Sequence, residues 1–169
     1  GEIVEAVKPQ WVGLDQDQWG LDHGTWSVLA HLYPDADIPV VQLSLNATRP
    51  LDYHLDLARR LDALRDRGVM ILASGNVVHN LHVARADDEQ RDFALEFDHY
   101  VGNYLRDGDH AGLTGLQSKQ TLFAKAHPTF EHFSPAIYVA AVAHEGDQLA
   151  FFNEHVNMGS ISMRSFVYF

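Results

Sequence analysis

Apolar residues recur along this chain at two different periods, and the changes from one to the other mark out its elements. Ile38-Pro-Val-Val-Gln-Leu-Ser-Leu45 carries aliphatic side chains on both parities, which predicts a strand covered on both faces. Asn46-Ala-Thr-Arg-Pro50 makes a turn. Leu51, Leu55, Ala58, Leu61 and Leu64 then form one helical stripe, with Asp52, Asp56, Arg59, Asp62 and Asp66 outside it. His54, a polar residue, is read as lying on the solvated helix surface. Gly68 ends the helix, and Val69-Met-Ile-Leu-Ala73 follows at once as a short buried strand. Strand, helix and strand in this order predict a βαβ unit with parallel strands and a right-handed crossover.

The flanking pattern is less regular. Residues 3–14 alternate loosely, with Pro9 interrupting, and predict an edge strand. Trp26, Leu29, Leu32 and Tyr33 keep helical spacing until Pro34, with Thr25 or its neighbour as the cap. Residues 84–90 are charged and predict a loop or a helix start. Phe93, Phe97, Tyr100, Val101 and Tyr104 form a helical stripe that reads as core, ending at Asp107-Gly-Asp109. Helices are expected over Leu113–Ala126, broken by His127-Pro128, and over Glu131–Ala143, with Pro135 in the first turn. Leu149–Phe152 and Ser160–Phe169 read as strands separated by Asn153–Gly159. The expected fold class is α/β, a mainly parallel central sheet with helices on both faces in three phosphorylase-like layers, and a single domain over 1–169.

Composition narrows the chemistry. A chain of 169 residues, 46% of them hydrophobic, can bury a substantial core. Its net charge of −11 argues against nucleic acid or an anionic membrane as partner. There is no cysteine, which removes disulfides, thiolate zinc sites, iron–sulfur clusters and cysteine nucleophiles. Any metal must be held by nitrogen and oxygen. No apolar run approaches the roughly 18 to 20 residues of a membrane span, and no basic-then-apolar leader opens the chain. The chain reads as soluble and cytoplasmic.

Three of the eleven histidines fall at element boundaries among polar neighbours, in Asp22-His23-Gly24, Val78-His79-Asn80 and Glu131-His132-Phe133. Taken singly, a boundary histidine is more often a hydrogen-bonded structural residue than a ligand. His79 stands out because ligands in open α/β sheets bind beyond the carboxyl ends of the strands. His127-Pro-Thr-Phe-Glu-His132 satisfies neither H-E-x-x-H nor H-x-x-E-H, and Pro128 disfavours a continuing helix. Ala73-Ser-Gly-Asn76 is not a nucleophile elbow, and neither a dinucleotide fingerprint nor a P-loop occurs.

Four blocks carry more together than apart. Gly20-Leu-Asp-His-Gly-Thr-Trp26, Ala73-Ser-Gly-Asn-Val-Val-His-Asn-Leu81, Pro128-Thr-Phe-Glu-His-Phe-Ser-Pro135 and Met158-Gly-Ser-Ile-Ser-Met163 follow one another as in a single family. They resemble the class III extradiol ring-cleaving dioxygenases, in the branch that includes 4,5-DOPA dioxygenase. The resemblance covers nearly the whole chain and is weakest across 84–124. It implies an oxidoreductase that opens the ring of a DOPA-like catechol with O2 at a non-haem Fe(II), zinc being possible in its place. It implies His79 as a metal ligand, and His23 and His132 as catalytic pocket histidines that move protons. Asp22 and Glu131 would orient those histidines, or equally serve as capping and solvated carboxylates.

The resemblance also implies two further iron-binding histidines, in an H-G-x-P and an A-H-W segment, and neither segment occurs in these 169 residues. Gly1 opens the chain and Met70 is its first methionine. The expectation is therefore the carboxyl-terminal portion of a longer catalytic domain, with a sheet edge and some core left uncovered. Phe130 stands where relatives commonly have proline, which bears on the pocket edge. Two other readings are a metal-dependent hydrolase on a similar scaffold and a non-catalytic remnant of the dioxygenase fold. The oligomeric state is not indicated.

Overall fold

The computed structural model describes residues 1–86, 89 and 91–169, so the charged stretch expected at 84–90 lies partly outside the described residues. The helix expected from Leu51 forms in two pieces. Helix α3 (Leu51–Arg59) gives way to a 3₁₀ segment, Asp62–Arg67, which Gly68 closes with φ 79°. The amides of Arg60, Leu61 and Leu64 bond back three residues, which tightens the chain while Leu61 and Leu64 stay buried. The inward face is wider than its aliphatic stripe, because His54 is 0% exposed and not solvated as its polarity suggested. Asn46 offers a carbonyl 3.2 Å from His54 Nε2, so that nitrogen carries the hydrogen and Nδ1 accepts from the Tyr138 hydroxyl at 2.9 Å. Helix α3 thereby docks on α7 (Ser134–Ala141).

Residues 3–14 do not form an edge strand. Glu2–Ala6 is a short helix, α1, because Ile3 and Val7 also satisfy the i, i+4 spacing and both face the core. Helix α2 (His23–Leu32) begins earlier than expected, with Asp22 and not Thr25 as its cap, because the Asp22 carboxylate accepts from the Thr25 amide; it stops as expected at Tyr33, before Pro34. Helix α4 (Asp92–Asp107) buries Phe97 and Val101 and ends at left-handed Gly108. The single helix expected over Leu113–Ala126 is two, α5 (His110–Gly115) and α6 (Gln120–Ala126), joined by a 3₁₀ turn at Leu116–Ser118. Gly112 and Gly115 are poor helix formers in that stretch. The helix expected over Glu131–Ala143 is a 3₁₀ turn, Phe130–His132, followed by α7.

Strand β1 (Leu149–Phe152) pairs antiparallel with β4 (Ser165–Tyr168), Leu149 opposite Tyr168. Strand β2 (Val156–Asn157) pairs antiparallel with β3 (Ile161–Ser162), so the expected 160–169 strand is split around Met163-Arg164. The described residues form a mixed, helix-rich α/β fold whose ladders are antiparallel. Among them, 38–45 and 69–73 belong to no strand ladder, so the parallel sheet expected from the βαβ pattern is not formed. A strand pattern specifies burial, but a ladder also needs a neighbour. Val41 and Met70 in these segments face outward, as do Trp11 at 85% and Trp19 at 83% exposure elsewhere in the chain.

Candidate functional site

Residues 76–80 are held from both flanks. On one side the Ser162 amide donates to the Val78 carbonyl at 3.0 Å, the Asn80 amide donates to the Ser160 carbonyl at 3.2 Å, and His79 bridges Ile161 antiparallel. On the other, the His79 amide donates to the Ala126 carbonyl at 3.0 Å and Asn76 donates to the His132 carbonyl at 2.9 Å. The side chains of Asn76 and Asn80 add bonds to the Ser162 and Lys125 carbonyls at 3.1 and 2.7 Å. Gly75 passes so close to His132 that a Cβ there would collide with its carbonyl oxygen.

This stitching brings two of the three singled-out histidines together. The half-buried rings of His79 and His132 are stacked, centroids 3.6 Å apart and 16° from parallel. His23 opens α2 on the exposed side, and among the described residues its ring stacks on neither. Its neighbourhood is nevertheless shared, since a Cβ at Gly24 would lie 3.4 Å from the Ser74 hydroxyl. Burial, followed by the charge of His132, holds the His79 imidazole below its usual pKa, with Glu131 opposing. A neutral imidazole is the form that ligates metal.

The flanking carboxylates do local work. Asp22 caps α2 by accepting from the Thr25 amide at 2.9 Å, and its other oxygen accepts from the Gln42 amide group at 3.2 Å. Glu131 accepts from the Thr129 hydroxyl at 2.7 Å. Burial alone would raise the Glu131 carboxyl, but that bond, its own amide and the nearby His132 and His127 leave it lowered. Neither carboxylate bonds to a histidine ring here.

The sequence reading missed His127. It is 2% exposed, ringed by Phe97, Phe123 and Phe133, and its Nε2 donates to the Val77 carbonyl at 2.7 Å. Burial pushes the imidazole down to about 4 despite that bond, so it is neutral at pH 7. Its one signal in the sequence was a histidine before a proline.

Among the described residues no three His, Asp or Glu side chains converge closely enough to hold a metal ion. An open catalytic site takes about three protein ligands. The His79 and His132 imidazoles suit a borderline metal, yet as a donor set they are incomplete.

Against known proteins, residues 1–167 match the family described as the catalytic LigB subunit of aromatic ring-opening dioxygenase. The chain belongs to the LigB family. It is 39% identical over 180 residues to the 4,5-DOPA dioxygenase extradiol of Escherichia coli K12, covering 96% of this chain and 62% of that protein. With the Beta vulgaris protein of the same name it shares 32% identity over 148 residues, covering 87% of this chain and 55% of the relative. A crystal structure of an uncharacterized Escherichia coli K12 protein superposes with a TM-score of 0.88 at 38% identity, covering 98% of this chain and 69% of that one. The chain thus spans about three fifths of the length of its curated Escherichia coli relative. Three of the four blocks that carried the LigB resemblance, at 73–81, 128–135 and 158–163, meet around the stacked histidines, and the block at 20–26 borders them through Ser74.

Proposed function

We propose that this chain belongs to an oxidoreductase that opens the aromatic ring of a catechol with O2, in the extradiol manner and on a DOPA-like substrate. The observation that carries this reading is the convergence of the family-matching blocks on the His79–His132 pair. The ring-opening names of the relatives favour it over the hydrolase and remnant readings. In the proposal Fe(II), or zinc in its place, is the metal, and His79 is one of its ligands. The remaining ligands come from polypeptide beyond these 169 residues, which makes the chain the carboxyl-terminal portion of a longer α/β catalytic domain. Segments 38–45 and 69–73 would be parallel strands of its central sheet.

The work assigned to this chain's own residues is proton handling. A catechol must lose hydroxyl protons to bind as a chelate, and an imidazole near neutrality can accept them and return one later. His132 and His23 are the proposed pocket bases, His132 beside His79 and His23 across the Ser74 edge. A cytoplasmic location fits the chemistry, because a reducing compartment keeps iron ferrous.

The test is oxygen uptake by the anaerobically Fe(II)-loaded chain with DOPA, alongside His79→Ala and a chain extended to the length of the relatives. Uptake with a yellow product only in the extended form, lost in His79→Ala, is the expected result. Activity of the extended form that survives His79→Ala removes His79 from the site.

A further inference from the structure

We infer that His127 is a positioning residue that sets, through one buried hydrogen bond, where His79 stands against His132. Only the kinetic arm of its test rests on the ring-opening reading.

The residue before a proline is driven into extended backbone, and His127 at φ −139°, ψ 95° follows that rule ahead of Pro128. Its side chain enters an aromatic cage, with ring centroids at 5.3 Å from Phe97, 5.6 Å from Phe123 and 5.3 Å from Phe133. An aliphatic side chain would fill that cage without polar loss. The imidazole instead buries an Nδ1 that finds no hydrogen-bond partner among the described residues, an unfavourable arrangement. What the ring adds is the Nε2–H bond to the Val77 carbonyl at 2.7 Å. Val77 lies just upstream of His79, whose own amide bonds to the Ala126 carbonyl at 3.0 Å.

The geometry therefore grips the segment at His79 and two residues upstream of it from one flank. Residues 126 and 127 hold the chain at His79 and at Val77, and the same connection ends in His132, whose carbonyl takes the Asn76 amide. One loop both presents His132 and fixes the segment that presents His79. Losing the Val77 bond frees that segment to shift relative to His132 while the hydrophobic cage persists. His127 contacts neither stacked ring through its hydrogen bond and acts through the backbone.

The test compares His127→Leu, which fits the cage without a donor, with His127→Gln, whose amide can donate from the position of Nε2. The first readout is the nuclear Overhauser effect between the His79 and His132 ring protons in the full chain. The second is kcat and KM for Fe(II)-dependent oxygen uptake with DOPA in the extended form. The expected result is that His127→Leu melts cooperatively, loses the ring–ring effect, and drops kcat by about 10- to 100-fold with KM little changed. His127→Gln restores the ring–ring effect and most of kcat. Should His127→Leu fail to fold, His127→Asn replaces it, since its shorter amide stops short of Val77. The inference is overturned when the donor-less variant keeps the ring–ring effect, or when Gln is as impaired as Leu or Asn. A wild type without oxygen uptake defeats the ring-opening reading instead, and the ring–ring comparison still decides the role of His127.

Discussion

The His79 and His132 imidazoles lie face to face, 3.6 Å between centroids, so a positive charge on His132 opposes protonating His79. Two charged rings cannot share that contact cheaply. The fold lowers the His79 pKa chiefly by burial, then by the His132 charge, with Glu131 pulling the other way.

The first prediction follows from that balance. The folded pKa of His79 lies below the value of 6.5 that it has when exposed in the unfolded chain. Its contribution to stability is therefore complete above pH 6.5 and is lost as the pH falls toward the folded value. In ring-nitrogen NMR titrations His79 should show a midpoint under 6.5, and Glu131→Gln should move it lower still. A midpoint at or above the exposed value would contradict the stacked geometry.

The buried His54–Tyr138 bond, 2.9 Å long, joins α3 to α7. Removing the ring leaves a cavity and an unpaired Tyr138 hydroxyl, while the Asn46 carbonyl keeps the Arg49 amide, so His54→Ala should cost about 2–5 kcal/mol. Tyr138→Phe strands only the lone pair on His54 Nδ1 and should cost about 1–3 kcal/mol. Urea unfolding at pH 7.5 measures both. Changes of a few tenths would mean that His54 is solvated in solution, as its polarity first suggested.

His54 also shows where sequence reasoning stops. The stripe of Leu51, Leu55 and Ala58 is legible because aliphatic burial is written as a period, and these residues are buried as expected. An imidazole three residues on from Leu51 has the right angular position, but nothing local says that Tyr138 waits to satisfy it. The same holds for His127, whose tie to Val77 joins residues far apart in the chain. Residues 38–45 present the opposite case. Their strand pattern is plain, but pairing depends on a neighbour, and the described residues supply none. The site was legible only as blocks of residues, whereas the stacking of His79 on His132 is a tertiary fact.

Behind the site, the Arg164 Nε reaches both Asp98 oxygens at 3.0 and 3.1 Å, and its Nη2 reaches Oδ2 at 2.6 Å. Asp98 also accepts from the Ser162 hydroxyl at 2.6 Å, and Ser162 is the residue whose amide holds the Val78 carbonyl. The hydrogen bonds that Arg164 donates to Asp98 raise its pKa in spite of burial. Asp98→Ala leaves a guanidinium with a 9% exposed side chain short of its main partner. The expected loss is about 3 kcal/mol, the low end for a broken buried pair, because Glu154 still pairs with Arg164. Asp98→Asn should lose less. A salt-sensitive loss under about 1 kcal/mol would instead mark a surface pair.

The exposed apolar side chains make the last prediction. Trp11 and Trp19 are 85% and 83% exposed, and Trp26 is exposed as well, so all three tryptophans of the chain are open to solvent. At low concentration the folded chain should fluoresce almost as red as in urea and be quenched by acrylamide almost as readily. The amides of 38–45 and 69–73, which join no ladder, should exchange rapidly. Unpaired edges and large apolar patches drive association, so raising the concentration should shift the emission to the blue and slow that exchange. An extended chain of the relatives' length should show both changes while remaining monomeric, because the added polypeptide would cover those side chains. Blue, quencher-resistant emission with a cooperative melt from the 169-residue monomer would show that it covers its own tryptophans, removing the physical reason to expect a further segment there.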